Sequence, residues 1–137
     1  MLGSGREEGM RDGPKTELSG IYVLVIHDDQ LTRHFLRSVL ESSGAIVTAA
    51  AASDAIRAAL IADVLVCDLE SAETAGSEFL SQLRSLHVHL GRTVPLIALL
   101  PSGARGARAR AAGFGKYLTK PVDGAELRAA VLEASRQ

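Results

Sequence analysis

The chain has 137 residues, of which 47% are hydrophobic and 23% charged, and this suits one compact domain with a full hydrophobic core. Its formal net charge is −1, so we expect no bulk electrostatic attraction to nucleic acid or to an anionic membrane. A single cysteine, Cys67, excludes an internal disulfide and a multi-cysteine zinc site. No apolar stretch is long enough for a membrane span or a signal-peptide core, and we therefore expect a cytoplasmic protein.

The order of predicted elements begins with a polar segment. Residues 1–20 are rich in glycine and mixed charge and are predicted to form a flexible tail or linker, with the folded domain at residues 21–135. From Ile21 onward, short apolar runs alternate with stretches of helical spacing. Strands are predicted at Ile21–Ile26, Ala45–Ala49, Val64–Cys67, Val94–Leu100 and Lys116–Leu118. Helices are predicted at Leu31–Glu41, Asp54–Ile61, Gly76–Leu86, Arg105–Ala112 and Gly124–Ala134.

The apolar runs do not alternate with polar residues, which indicates strands buried on both faces. Such strands are typical of a parallel sheet that is covered by helices on both sides. Gly44 and Gly113 stand where predicted helices end, and this placement supports the helix boundaries. Five strand–helix units in tandem predict an open, doubly wound α/β domain.

The residues that end the predicted strands carry the candidate chemistry, because ligands of such sheets bind at the carboxyl ends of the strands. The first strand runs into His27, Asp28 and Asp29, the third into Asp68, and the fifth into Lys120. Carboxylates that converge favour a small hard cation such as Mg²⁺, which takes oxygen ligands and keeps several waters. A lysine beside them can pair with an anion. Together these groups predict a site for phosphate bound to, or transferred onto, a protein oxygen.

Four segments, in order and at suitable spacing, resemble the receiver domains of bacterial two-component response regulators. They are VLVIHDDQLTRHFLRSVLESSG, ADVLVCDLESAETAGSEFLSQLR, VPLIALLP and RARAAGFGKYLTKPVDGAELRAAV, and the resemblance covers residues 21–135. It implies a flavodoxin-like fold with a five-stranded parallel sheet of strand order 2-1-3-4-5. It also implies a signalling domain that accepts a phosphoryl group and is not an enzyme, apart from slow autodephosphorylation.

The resemblance assigns a role to each matching position. Asp68 would accept the phosphoryl group from a histidine kinase or a histidine phosphotransfer protein, and Asp28 would bind Mg²⁺ beside it, with Asp68 as a further metal ligand. Lys120 would pair with Asp68 and then with the phosphoryl group. Pro121 would follow a cis peptide bond that aims the lysine inward. Tyr117 would be the aromatic switch residue that moves when the site is occupied.

Two positions depart from the family pattern. His27 stands where the family has the first carboxylate of its acidic pocket, so we expect weak Mg²⁺ binding. A slip of one position would instead make Asp28 and Asp29 the acidic pair. Leu100 stands where the family has a Ser or Thr that hydrogen-bonds the phosphoryl group, and leucine has no donor or acceptor. Ser102 could substitute after a shift of the loop, although a serine in a turn is the simpler interpretation.

Simpler structural roles remain open for the site residues. The aspartates at 28 and 29 could cap the first helix, Asp68 could cap a local turn, and Lys120 could be solvated. We expect a phosphoacceptor receiver of reduced efficiency. The alternative is a degenerate receiver that binds partners without phosphorylation. A small enzyme with His27 as a base is disfavoured, because nearly all of the chain is spent on the scaffold.

The expected partners follow from the same resemblance. The donor would be a kinase or phosphotransfer protein that carries phosphohistidine. The output domain or protein would contact the face formed by the fourth helix, fifth strand and fifth helix, at Arg105–Ala112, Lys116–Leu118 and Gly124–Ala134. We expect no direct contact with nucleic acid or with a membrane.

Overall fold

Five parallel strands form one sheet in the order β2-β1-β3-β4-β5, as predicted. The structure is a computed structural model that describes residues 17–85, 91 and 94–136. The strands are β1 at Tyr22–Ile26, β2 at Ile46–Ala50, β3 at Val64–Asp68, β4 at Leu96–Leu100 and β5 at Lys116–Thr119. The doubly wound α/β fold is therefore confirmed.

Six α-helices in the described ranges connect and flank these strands. They are α1 at Gln30–Glu41, α2 at Ala52–Ala58, α3 at Leu69–Ala75, α4 at Ser77–Arg84, α5 at Gly106–Ala111 and α6 at Gly124–Ser135. A short 3₁₀ turn, Ala59–Ile61, extends α2. The predicted helices correspond to α1, α2, α4, α5 and α6, except that Leu86, predicted as the last residue of one helix, lies outside the described residues. None of the described helices is long and apolar enough to cross a membrane.

Helix α3 is the one described helix that was not predicted. Gly76 separates it from α4, with a φ of 104° that an L side chain rarely adopts. Ala72 lies within α3 and has the backbone N–H that a proline would lack, so the chain can turn into a helix directly after β3.

Alternate strand residues pack into two separate cores, one on each side of the sheet. In β3, Val64 and Val66 face the core formed with α1 and α6, whereas Leu65 and Cys67 face the core formed with α2 to α5. Burial raises the pKa of the Cys67 thiol, and this supports its interpretation as a small core residue rather than a reactive one. Successive side chains of a strand thus pack into different cores. This period of two is not visible in the sequence, because both faces of the sheet are apolar.

The folded domain begins before residue 21, and this corrects the predicted boundary of the tail. Leu18 is fully buried in the core beneath α1 and α6, and its N–H donates a hydrogen bond of 2.9 Å to the carbonyl of Ser43. A single leucine in a glycine-rich segment carries no periodic signal, so its burial could not be predicted from the pattern. Residues 1–16, the rest of the predicted tail, lie outside the described residues.

Replacing Leu18 by Ala should therefore lower the free energy of unfolding by about 3 kcal/mol, because it leaves a cavity in a closed core. Denaturant unfolding followed by circular dichroism measures the change. Leu31→Ala is the matched control, since Leu31 is 81% exposed and its loss should cost about 0.5 kcal/mol or less. Equal effects of the two substitutions would show that Leu18 is not part of the core.

Candidate functional site

Asp68 ends the central strand β3 and lies in the interior of the fold. It is only 3% exposed, and it pairs in register with Leu99 of the neighbouring strand β4. The same residue is the N-cap of α3. Its Oδ2 accepts hydrogen bonds from the backbone N–H of Ser71, at 2.9 Å, and from the Ser71 hydroxyl, at 2.8 Å. The capping role that the sequence left open for Asp68 is thus present, and it engages one carboxylate oxygen while the other points away from α3.

Lys120, one residue beyond β5, reaches that other oxygen. Its N–H donates to the carbonyl of Leu100 at 2.8 Å, which continues the pairing of β5 with β4, and the Lys120–Pro121 peptide bond is cis. The Nζ atom lies 2.5 Å from Asp68 Oδ1 and forms an ion pair with it. Burial alone would raise the pKa of Asp68, but Lys120 and Ser71 outweigh it and hold the pKa below its ordinary value.

His27 is the third group at this oxygen. It is buried directly after β1, and its Nε2 lies 3.7 Å from Asp68 Oδ1, which is too long for a hydrogen bond. Its Nδ1 accepts a hydrogen bond of 3.1 Å from the N–H of Asp29, so the proton of the neutral ring is on Nε2. Burial lowers the pKa of His27 despite the nearby carboxylate, with Lys120 adding to the decrease, and the ring is neutral at pH 7.

The alternative register predicted that Asp28 and Asp29 together form the acidic pair of the site. In the structure their carboxylates contact two different helices. Asp29 is exposed and caps α1, with Oδ2 accepting from the N–H of Thr32 at 2.9 Å, so its carboxylate belongs to the helix terminus. Its possible role as a metal ligand stays a prediction beside this role as a cap. Asp28 is exposed at the rim of the site, and its Oδ1 accepts from the N–H of Ala52 at 3.1 Å. Burial of His27 fixes this register, because a slip would place an aspartate inside instead.

The two predicted switch positions differ in burial. Leu100 ends β4 and is fully buried in the core on the side of α2 to α5. Ser102, its possible substitute, is exposed in the turn that follows. Tyr117 is 43% exposed, and its ring covers Gly106 so closely that a Cβ there would come within 2.4 Å of a ring carbon. Glycine at 106 therefore permits the outward position of the ring.

Ser71 is the site residue that the sequence analysis missed. It is 5% exposed, and its Oγ also accepts a hydrogen bond of 3.0 Å from the N–H of Asp28. The ends of β1 and β3 are thereby joined through one hydroxyl. Aspartate is a favoured N-cap residue, so Asp68 at the end of a predicted strand could have located the start of α3, and with it the N–H of Ser71.

The residues at the site offer few ligands to a divalent cation. Asp28 and Asp68 are the two carboxylates available, and Mg²⁺ is satisfied with one or two carboxylates and water. However, Lys120 stands at Asp68 Oδ1, Ser71 holds Oδ2, and a neutral imidazole replaces the third acid. Within the described part of the chain, no three His, Cys, Asp or Glu side chains come together in an arrangement that could hold a metal.

Comparison with known proteins decides the family. A family model described as the response regulator receiver domain matches residues 23–132. The chain belongs to this family. Receiver domains are modules of two-component signalling; they accept phosphoryl groups, are generally not enzymes, and generally bind Mg²⁺ at the phosphorylation site.

The chain is also similar to individual proteins. A protein of Leptolyngbya boryana, described only as an uncharacterized 14.6 kDa protein in the sodA1 3′ region, is 39% identical over 115 residues, covering 80% of this chain and 86% of that protein. A receiver domain protein of Clostridium thermocellum superposes with a TM-score of 0.70 at 24% identity, covering 85% of this chain and 94% of that one.

A third similar structure is the receiver domain of Ssk1 from Saccharomyces cerevisiae, crystallised with the histidine phosphotransfer protein Ypd1. It superposes with a TM-score of 0.75 at 23% identity, covering 87% of this chain and 91% of that one. At this identity the likeness to both solved structures shows the fold alone.

Proposed function

We propose that this receiver accepts a phosphoryl group on Asp68 as part of a bacterial phosphorelay in the cytoplasm. The observation that carries the proposal is the buried carboxylate of Asp68 with Lys120 Nζ at 2.5 Å from its Oδ1. Oδ1 would attack the phosphorus of a phosphohistidine, the P–N bond would break, and the electron pair would remain on the imidazole of the donor. The ammonium of Lys120 would then neutralise charge on the transferred phosphoryl oxygens.

We propose that this site binds Mg²⁺ with low affinity. Asp28 and Asp68 would hold Mg²⁺, which supplies positive charge to phosphoryl oxygens when bound. His27 lowers the affinity because it removes one carboxylate from the pocket beside Asp68. We therefore expect phosphorylation of reduced efficiency compared with a pocket of two acids beside the phosphoacceptor.

The proposed phosphoryl donor is a histidine kinase or a histidine phosphotransfer protein, the class of partner with which the similar Ssk1 domain was crystallised. A surface suited to such a partner lies beside the site. Leu31 and Phe35 are 81% and 47% exposed, one turn apart on α1, whose first residue is three positions from His27. Exposed large apolar side chains next to a reactive pocket favour a protein partner over solvent. Output is proposed to use the face of α5, β5 and α6.

A second candidate function rests on Leu100. Its side chain fills the core where the family places a hydroxyl, so the link between phosphoryl group and switch residue is missing there. This favours a degenerate receiver that binds its partner without phosphorylation, through the same face of α5, β5 and α6. The two candidates differ in whether Asp68 becomes phosphorylated at all.

Incubation with a small phosphodonor and Mg²⁺, followed by intact mass spectrometry, tests the first candidate. The wild type should gain one phosphoryl group, and Asp68→Asn should gain none, because the amide cannot act as the nucleophile. Asp63→Asn is the matched control, since Asp63 is exposed and directly precedes β3, at the opposite end of the strand from Asp68. A wild type that stays unmodified with both a small phosphodonor and a phosphohistidine donor would favour the degenerate receiver.

Replacing His27 by Asp should tighten Mg²⁺ binding roughly tenfold, about 1.4 kcal/mol, because it restores a carboxylate to the pocket. A titration followed by backbone amide shifts gives the affinity. His27→Asn is the matched control, since it removes the imidazole without adding charge and should bind Mg²⁺ like the wild type. If the Asp and Asn variants bind equally, position 27 does not contribute to the metal site.

Replacing both Leu31 and Phe35 by Ser should slow phosphotransfer from a phosphorylated histidine phosphotransfer protein about tenfold, because it removes apolar contact area. Phosphorylation by a small phosphodonor should be unchanged, as the pocket itself is intact. Ile61→Ser is the control, because Ile61 is 62% exposed but precedes β3, at the opposite edge of the sheet. Equal slowing with the protein donor in the double variant and in Ile61→Ser would exclude α1 as the docking surface.

A further inference from the structure

Ser71 makes the two oxygens of Asp68 chemically different. Oδ2 accepts two hydrogen bonds from Ser71, one from its N–H at 2.9 Å and one from its hydroxyl at 2.8 Å. Oδ1 instead pairs with the Lys120 ammonium at 2.5 Å, and Nε2 of His27 lies 3.7 Å from it. Oδ1 therefore lies beside the cation that would pair with the phosphoryl oxygens, and Oδ2, held by Ser71, would become the carbonyl oxygen of the acyl phosphate.

The hydroxyl of Ser71 acts as both acceptor and donor in the unphosphorylated protein. Its oxygen accepts from the N–H of Asp28 at 3.0 Å while its proton is donated to Asp68, and the residue is 5% exposed. Ser71 occupies the third position of α3, from which both its N–H and its side chain reach the N-cap residue. Ala72 permits this geometry, because a proline there would lack the N–H that continues the helix.

On the basis of the proposed function, we propose that Ser71 is a positioning residue that selects Oδ1 as the phosphoacceptor atom and shortens the lifetime of the acyl phosphate. A hydrogen bond to an ionised carboxylate is roughly twice as strong as one to a neutral carbonyl. The two donors of Ser71 therefore stabilise the free Asp68 carboxylate more than the phosphorylated form. This difference in hydrogen-bond strength favours any step that regenerates the carboxylate.

Hydrolysis is such a step. The oxygen of a water molecule attacks phosphorus, the P–Oδ1 bond breaks, and its electron pair stays on Asp68. Both protons of the water leave with inorganic phosphate. Negative charge grows on the carboxylate during bond cleavage, and part of it is delocalised onto Oδ2. The two hydrogen bonds from Ser71 stabilise that part of the charge. Return of the phosphoryl group to a histidine donor regenerates the same carboxylate, so Ser71 favours relay over storage.

The lifetime of the phosphorylated domain tests this inference. The full chain is phosphorylated with a small phosphodonor and Mg²⁺, the donor is removed, and loss of the phosphoryl group is followed by intact mass. Ser71→Ala should lengthen the lifetime about threefold to tenfold, the effect of one charge-assisted hydrogen bond weakened to a neutral one. Ser71→Thr keeps the hydroxyl and should restore the wild-type lifetime. Ser77→Ala is the control, since Ser77 is exposed at the start of α4.

The possible outcomes separate this inference from the proposed function. A longer lifetime in Ser71→Ala with rescue by Thr supports it, because mere loosening of the site would not produce that rescue. An unchanged or shorter lifetime in Ser71→Ala overturns it and leaves phosphorylation of Asp68 standing. Absence of any phosphoryl group on the wild type overturns the proposed function, and the inference with it. If the Ala variant does not fold, a lifetime of Ser71→Cys equal to that of the wild type overturns the inference, since a thiol is a weak donor.

Discussion

The contact between Asp68 and Lys120 is the constraint on which the site depends. A carboxylate that is 3% exposed is costly to bury unless it is paired, and the ammonium at 2.5 Å from Oδ1 supplies the pairing. The two residues lie at the ends of β3 and β5, which are separated by β4. The sheet therefore has to place both strand ends at one edge, and its parallel order does so.

The other polar groups at the site are arranged around the Asp68 carboxylate. Ser71 takes the second oxygen of Asp68, and the neutral ring of His27 lies beside the first without a hydrogen bond. Asp28 stays exposed at the rim, joined to Ser71 through its backbone N–H. The result is a carboxylate whose pKa is held below its ordinary value despite burial, so that it is ionised at neutral pH. An ionised, oriented carboxylate is what a phosphoacceptor needs.

Much of the fold could be predicted, because its signals are long and repeated. Five apolar runs with helical stretches between them give the α/β class, and the resemblance gives the strand order that the structure has. Leu18 and α3 could not be predicted in the same way. One depends on a single side chain that reaches the core, and the other is a seven-residue helix whose start depends on its cap and on the absence of proline at Ala72.

The candidate site likewise has features that the sequence predicts and features that it does not. The strand ends predicted that Asp68 and Lys120 meet, since position along a strand fixes position at the sheet edge. The role of Asp29 as a helix cap and the two bonds from Ser71 depend on side-chain directions, which spacing alone leaves open. His27 and Leu100 were recognised as departures, and the structure shows both of them buried, one against the phosphoacceptor and one within the core.

A double-mutant cycle on the free energy of unfolding tests the pairing of Asp68 with Lys120 most directly. The four proteins are the wild type, Lys120→Met, Asp68→Asn and the double variant, each unfolded in denaturant at pH 7. Lys120→Met should cost about 3 kcal/mol in the wild type, because it leaves a buried charge unpaired, and about 1 kcal/mol when residue 68 is Asn. The expected coupling is thus about 2 kcal/mol. Additive single effects would contradict the pairing and remove the basis of the site.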